Sequence, residues 1–187
     1  GDRILLVGHG MYQICTMKYL LGIDLEALRQ ECDDAGRGMI PNGGIMVFTY
    51  EDGEYQIQQV PIESKNFEYK MEDKTVHLYY VRHGETLFNH YNRMQGRSDS
   101  PLTAQGIEQV KLSGKALHNI DFAFAYCSSA ERARDTAAYI LETHDINAIP
   151  NRDLREIDFG TYEARVRDSI MDELYERFNP RVDFSDV

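Results

Sequence analysis

Two histidines in this sequence each follow a strand-like apolar run and precede a glycine. His9 stands before Gly10 after the run Arg3–Val7, and His83 follows the run Thr75–Val81. In open α/β sheets ligands bind at the carboxyl ends of the strands, so both imidazoles are predicted to lie at a ligand-binding edge. A histidine in that position can act as a nucleophile, as a base or as a hydrogen-bond donor.

Charged residues near the same predicted edge suit an anionic ligand. Arg82 offers a planar fork of donors that matches phosphate or carboxylate. Arg132 lies in the first turn of a predicted helix, whose amino terminus favours an anion. Taken singly, each of these histidines and arginines also fits an ordinary structural role, as a hydrogen-bonded histidine in a turn or as a solvated charge. The loop carboxylate Glu156 would by itself be solvated. The anion-binding hypothesis therefore depends on these residues occurring together.

The elements that would position these residues alternate between strands and helices. Further strands are predicted at Ile45–Tyr50, Glu54–Val60 and Phe122–Cys127, and helices at 11–21, 24–31, 101–118, 128–144 and 163–178. Asp52 and Gly53 predict a two-residue hairpin, Ser128 to Glu131 predict a capping box, and residues 150–160 predict a loop. The alternation predicts a three-layer α/β/α sandwich whose sheet is mostly parallel, with the hairpin at one edge.

The charge balance excludes several classes of partner. The 187 residues include 31 acidic and 20 basic side chains, for a formal net charge of -11. Nucleic acid and anionic membrane surfaces both require a basic face, so we expect neither as a partner. No apolar run approaches the ~20 residues of a membrane-spanning helix. The sequence leaves the oligomeric state open, a homo-oligomer included.

The cysteines and the first residues of the chain indicate in which cellular compartment the protein is expected. Cys15, Cys32 and Cys127 cannot all pair with one another and form no C-x-x-C motif. This predicts reduced thiols with packing roles in a cytoplasmic protein. The chain opens directly into a strand-like run, so no leader peptide is expected.

Several motifs spread along the chain resemble those of the histidine phosphatase superfamily, the phosphoglycerate mutase-like enzymes. They are R-H-G-E-T at Arg82–Thr86, Asn89, Gln95-Gly96, P-L-T-x-x-G-x-x-Q from Pro101 to Gln109, S-S-x-x-R-A-x-x-T-A from Ser128 to Ala137, L-R-E-I-x-F-G from Leu154 to Gly160, and His9-Gly10. The R-H-G-E-T and S-S-x-x-R-A-x-x-T-A blocks are highly specific, whereas H-G and Q-G are weak by themselves.

The resemblance implies a role for each matching residue. His83 would be the nucleophile that forms a phosphohistidine, His9 would contact the phosphoryl oxygens, and Glu156 would donate a proton to the leaving group. The residues implied to bind the phosphoryl group are Arg82, Asn89 and Arg132, with Gln95, Gly96 and the Gly10 backbone lining the same pocket.

The implied activity is that of a metal-independent phosphomonoesterase acting on a small phosphorylated metabolite. A neutral imidazole can attack phosphorus without a separate base, and one carboxyl with a raised pKa can serve both steps of the hydrolysis. Two arginines and a second histidine would replace the metal, so no metal or other cofactor is expected. Two alternatives stay open: a cofactor-dependent phosphoglycerate mutase and an inactive phosphate-binding or regulatory module.

The motifs occur in an order that the family does not use. Family members run from R-H-G to H-G, whereas His9 precedes His83 here. Residues 1–62 resemble the carboxyl-terminal part of a family member and residues 75–187 the amino-terminal part, with 63–74 as the junction. We expect one domain over residues 1–187 in circularly permuted order. An ordinary chain whose two pieces are numbered in reverse order, or a fragment of two tandem domains, would present the same pattern.

Overall fold

The computed structural model of the protein describes residues 2–68 and 75–170. The strands are β1 Arg3–Gly8, β2 Ile45–Glu51, β3 Glu54–Ile62, β4 Val76–Arg82, β5 Phe124–Ser128 and β6 Ile149–Asn151. The α-helices are α1 Gly10–Cys15, α2 Leu25–Asp34, α3 Leu87–His90, α4 Ala104–Leu117 and α5 Glu131–Ile140. A π-helical turn, Thr16–Leu20, continues α1.

The six strands of the described residues form one mixed sheet in the order β3-β2-β4-β1-β5-β6. β1 lies between β4 and β5 and is parallel to both, and β6 is parallel to β5. β2 runs antiparallel to β4 and pairs with β3 as a hairpin at the sheet edge. Asp52 and Gly53 turn this hairpin with φ angles of 51° and 93°, the left-handed region that such a turn requires. The predicted mostly parallel sheet with an edge hairpin is confirmed.

Apolar side chains on the two faces of the sheet form separate cores, which gives the predicted three layers. Val81 belongs to a core that includes Leu117 of α4 and Ala137 of α5. Its neighbour Tyr80 belongs to a second core with Met17 from the π-helical turn, beside residues of α2. Successive residues of a strand point to opposite faces of the sheet. Helices therefore cover both faces, which leaves the carboxyl ends of the parallel strands for the site.

Two predicted helices differ from the structure by more than three residues at one end. The helix predicted over 128–144 is shorter, because α5 ends at Ile140 and a 3₁₀ turn, Leu141–Thr143, follows it. The helix predicted over 163–178 is wrong as far as residue 170, where Arg167–Ser169 form a single 3₁₀ turn. Its remaining residues lie outside the described part of the chain. Strand β6 was not predicted, because three residues are too few to show an alternation of apolar and polar side chains.

Among residues 2–68 and 75–170, no helix combines the length and the apolar character needed to cross a bilayer. All three cysteines are free thiols. Cys32 and Cys127 are buried in the two cores, as predicted, whereas Cys15 is exposed and the packing role predicted for it is wrong.

Candidate active site

Three neighbouring parallel strands bring their carboxyl ends to one edge of the sheet. His83 follows β4, His9 follows β1, and Ser128 is the last residue of β5. Because β1 is the middle strand of the three, the two histidines meet although they are far apart in sequence. Their ring centroids are 5.4 Å apart in an edge-to-face arrangement. The predicted common edge is therefore present.

His83 is held as a neutral imidazole with one nitrogen available. Its Nδ1–H donates to the carbonyl oxygen of Gly84 at 2.8 Å, which leaves the lone pair on Nε2. Burial, followed by the positive charges of Arg132 and Arg82, lowers the pKa of His83 well below its usual value. A neutral imidazole with an unprotonated Nε2 has the electronic state that a nucleophile needs.

His9 is completely buried, and both of its ring nitrogens are hydrogen-bonded. Nδ1 accepts from Arg132 Nη2 at 3.1 Å, so the proton of the neutral ring lies on Nε2, which donates to Ser128 Oγ at 2.7 Å. Burial, reinforced by Arg132 and Arg82, lowers the pKa of His9 to about 2. His9 therefore enters any reaction at neutral pH as a neutral ring.

The hydroxyl of Ser128 has a different role from the one predicted. The predicted capping box is wrong, because the N-cap residue of α5 is Ala130 and its side chain makes no cap. Ser128 Oγ instead bonds His9 and accepts from the backbone N–H of Ala130 at 3.3 Å. The hydroxyl at the end of β5 therefore orients the second histidine.

Arg82 presents unused donors toward the same edge. Its Nη1 donates to the carbonyl oxygen of Ile40 at 2.7 Å, whereas Nε is buried without a hydrogen-bond partner among the described residues. Burial lowers the pKa of Arg82 to about 10, so the guanidinium stays charged at neutral pH. A Cβ at Gly10 would lie 3.3 Å from Nε, so the glycine keeps that edge of the guanidinium open.

Arg132 is fully buried, and both of its terminal nitrogens are engaged within the protein. Nη1 donates to the Ser98 carbonyl at 3.0 Å and forms an ion pair of 2.8 Å with Asp99. Nη2 donates to the Gly96 carbonyl at 2.9 Å and to His9. Nε is buried and without a partner in residues 2–68 and 75–170. Arg132 thus brings a fixed positive charge and one free N–H to the site.

Glu156 lies beside the two arginines in a buried position. Its Oε2 accepts from the Met11 N–H and its Oε1 from the Ile157 N–H, both at 3.2 Å. Burial raises the pKa of Glu156, and these hydrogen bonds and the arginine charges oppose only part of that effect. A carboxyl with a raised pKa is suited to donate and recover a proton near neutral pH.

Asn89 and Gln95 support the turn that follows His83. Thr86 and Asn89 form a reciprocal capping box at the start of α3, with both backbone N–H groups donating at 3.2 Å. Thr86 Oγ1 donates to Gln95 Oε1 at 2.7 Å, and Gln95 Nε2 donates to Ser100 Oγ at 3.0 Å. Within the described residues, neither side chain is hydrogen-bonded to a histidine. Their predicted contact with a phosphoryl group stays a prediction.

Three side chains that were not predicted as site residues support the site. Ser128 holds His9, and Asp99 holds Arg132 while its Oδ2 accepts from the Glu131 N–H at 2.6 Å, at the start of α5. Glu163 binds the turn that carries Gly96. Ser128 belongs to the S-S-x-x-R-A-x-x-T-A motif, whereas nothing in the local sequence distinguishes Asp99 and Glu163, because each acts on a segment distant along the chain. Within the described residues, no cluster of three or more His, Cys, Asp or Glu side chains could hold a metal ion.

Comparisons with known proteins match about half of the chain. A family model of the histidine phosphatase superfamily (branch 1) matches residues 78–185. A Klebsiella pneumoniae (strain 342) protein described as the probable phosphoglycerate mutase GpmB is 42% identical over 96 residues, which are 51% of this chain and 45% of that protein. The chain therefore spans about half the length of the curated relative.

Solved structures of similar sequence match a similar fraction of this chain. Phosphoglycerate mutase from Bacillus anthracis is 35% identical, with a TM-score of 0.49 over 52% of this chain and 44% of that one. A mycobacterial glucosyl-3-phosphoglycerate phosphatase is 28% identical, with a TM-score of 0.49 over 52% of this chain and 49% of that one. The family model matches more than half of the chain, and on that match the protein belongs to the histidine phosphatase superfamily.

Proposed function

We propose that the protein is a metal-independent phosphomonoesterase that acts on a small phosphorylated metabolite through a phosphohistidine on His83. One observation carries the proposal. The Nδ1–H of His83 is committed to the Gly84 carbonyl, so the lone pair of Nε2 is free near the buried Arg132 and the partly buried Arg82. A phosphoryl group held by those cations would meet an imidazole already in its nucleophilic state.

The first step would transfer the phosphoryl group to the enzyme. Nε2 of His83 attacks phosphorus, the bond from phosphorus to the ester oxygen breaks, and the carboxyl proton of Glu156 passes to the departing alkoxide. The raised pKa of Glu156 supports this assignment, because it keeps the carboxyl protonated to higher pH.

The second step would release phosphate and restore both groups. Water attacks the phosphohistidine, the carboxylate of Glu156 takes a proton from that water, and the N–P bond breaks with its electron pair returning to Nε2. Glu156 is thereby reprotonated and His83 is neutral again. One carboxyl serves both steps, as the sequence analysis expects.

The two arginines would offset most of the negative charge on the transferring phosphoryl group. Arg82 offers Nε, with Gly10 leaving that edge of the guanidinium open, and Arg132 offers Nε from a position fixed by Asp99. The same cations help to lower the pKa of His9. A bound phosphoryl dianion would offset both charges, so binding would raise the pKa of His9 and favour turning its Nε2–H from Ser128 Oγ to a phosphoryl oxygen.

A phosphoglycerate mutase is the second candidate, because the Klebsiella relative is described as one. The family's cofactor-dependent mutases carry an arginine-rich stretch after the R-A-x-x-T-A helix. Here the segment between Ala137 and Glu156 is short, and Arg152 and Arg155 are its only arginines. Arg155 Nε donates to Ser129 Oγ at 2.6 Å, which commits one of the two to the fold. We therefore favour hydrolysis over transfer to a sugar acid.

A direct assay separates the candidate functions. Each phosphorylated metabolite of a panel is incubated with the protein, with and without a bisphosphoglycerate, while phosphate release and phosphoglycerate isomerisation are measured together. Release without added cofactor supports the phosphatase, and isomerisation that depends on the bisphosphate supports the mutase. Absence of both with retained phosphate binding supports an inactive module.

Metal chelation should leave hydrolysis of an aryl phosphate unchanged. Met11 and Ile157, whose backbone N–H groups donate to Glu156, are 36% and 41% exposed, so apolar surface suited to an aromatic leaving group lies next to the carboxyl in sequence and in space. With Arg82 and Arg132 supplying the positive charge, kcat/KM should stay within about twofold in excess EDTA. A larger loss that added Mg²⁺ or Zn²⁺ reverses would contradict the metal-independent mechanism.

We also propose that the chain is one domain in permuted order. The family model begins at residue 78, so its match excludes His9, yet β1 lies between β4 and β5 and carries His9 to the same edge as His83. Amino-terminal sequencing and the intact mass of the purified protein test the order. A continuous chain that runs from His9 to His83 supports permutation, and two separate polypeptides would rule it out.

A further inference from the structure

Glu163 is surrounded by hydrogen-bond donors from a turn that lies far from it in sequence. Its carboxylate accepts from the backbone N–H groups of Gly96 at 3.1 Å, Arg97 at 2.8 Å and Ser98 at 3.2 Å. It also accepts from the Ser98 hydroxyl and, at 3.1 Å, from the Phe159 N–H. Three successive N–H groups that converge on one carboxylate fix the orientation of the turn 96–98.

The opposite side of the same turn holds Arg132. The carbonyl oxygens of Gly96 and Ser98 accept from its two terminal nitrogens at 2.9 and 3.0 Å. The Gly96 carbonyl and the Arg97 N–H belong to one planar peptide group, so the contact of Glu163 with that N–H also fixes the direction of the Gly96 carbonyl. The Ser98 carbonyl belongs to the peptide group of Asp99, and Glu163 holds Ser98 through its N–H and its hydroxyl. Glu163 therefore positions the two carbonyls that, with Asp99 and His9, define where the guanidinium of Arg132 lies.

The contacts require a carboxylate and not merely a polar group. Oε1 accepts from the backbone N–H groups of Arg97 and Phe159, and Oε2 accepts from Gly96 and twice from Ser98. An amide in this place would turn an NH₂ group toward at least two donors. Burial alone would raise the pKa of Glu163, but these hydrogen bonds outweigh it and hold that pKa below its usual value. The carboxylate is therefore charged throughout the neutral range.

We propose that Glu163 is a positioning residue that sets the orientation of Arg132 through the turn 96–98, and thereby the affinity of the site for a phosphoryl group. The proposal rests on the proposed function only for the role of Arg132 in phosphoryl binding. Glu163 does not touch the reacting atoms, so its effect must pass through the arginine. Loss of Glu163 should therefore have little effect on phosphate binding once Arg132 is absent.

A double-mutant cycle on the full chain tests this. Inorganic phosphate is titrated by calorimetry into the wild type, Glu163→Gln, Arg132→Ala and the double variant, with circular dichroism to verify folding. Glu163→Gln should weaken phosphate binding about tenfold or more in the wild-type background and less than about twofold in the Arg132→Ala background. Asp158→Asn is the matched control, because that exposed carboxylate in the same loop accepts from the Gly160 N–H and should leave phosphate affinity unchanged.

The possible outcomes each decide the question. Equal weakening in both backgrounds, or none in either, overturns the proposal. If Glu163→Gln or the Arg132 variants do not fold, Ser98→Ala removes one donor to Glu163, and a loss of about threefold or more supports the role while unchanged affinity overturns it. Phosphate binding does not require turnover. A wild type that binds phosphate without hydrolysing esters would therefore refute the phosphatase assignment and leave the test of Glu163 intact.

Discussion

Replacing His83 with alanine is expected to lower phosphatase turnover by about 10⁴-fold or more, to the level set by the remaining electrostatic environment. The imidazole is the only group that we assign to form the bond to phosphorus, and Nε2 is the one nitrogen of the two central histidines that the fold leaves without a proton or a partner among the described residues. The loss should appear in kcat for every substrate, because each must pass through the same phosphoenzyme.

The phosphoenzyme itself provides the sharper measurement. Rapid quenching of the wild type with a phosphorus-labelled substrate should trap an acid-labile, base-stable adduct, and His83→Ala should show none. His118→Ala is the matched control, since this exposed histidine bonds the Lys115 carbonyl away from the sheet edge and should leave the adduct unchanged. An adduct that persists in His83→Ala would place the nucleophile elsewhere.

Replacing Glu156 with glutamine is expected to slow the hydrolysis of esters with poor leaving groups by about 10²–10⁴-fold. An alkoxide needs a proton as it departs, whereas a nitrophenolate is stable without one. The loss should therefore be far smaller for an activated aryl phosphate. The measurement is kcat/KM for a series of esters of graded leaving-group pKa, and the slope of log kcat/KM against that pKa should be steeper for Glu156→Gln than for the wild type. A uniform loss across the series would indicate a structural role for Glu156.

The pH profile should change with the same substitution. Burial raises the pKa of Glu156, and the protonated carboxyl is the form that the first step needs. For alkyl phosphates the rate should therefore fall as the pH rises through that raised pKa, and Glu156→Gln should lack this limb. On the acid side, His83 should stay neutral and reactive well below pH 6.5, because its pKa is lowered. Asp158→Asn should keep the wild-type profile.

Local patterns were enough to predict most of the architecture. The strand that precedes His83 and the hairpin at Asp52 both depend on neighbouring residues. The wrong role predicted for Ser128 has a different cause. The sequence assigned Ser128 to its own helix because a capping box is a local motif, whereas its hydroxyl bonds a histidine that arrives from another strand.

The sequence alone determined which residue types this protein brings to its site and which family motifs they form. Only the tertiary structure decided how those residues are held, since hydrogen bonds between distant segments set tautomers and orientations, and burial with nearby charges sets the pKa values. The proton on His9 lies on Nε2 because Arg132 donates to Nδ1, and Arg132 is oriented by carbonyls that Glu163 turns toward it. These partners come from four separate parts of the chain, so no local pattern could reveal them. They meet because the parallel pairing of β1 with β4 and β5 brings three strand ends to one edge.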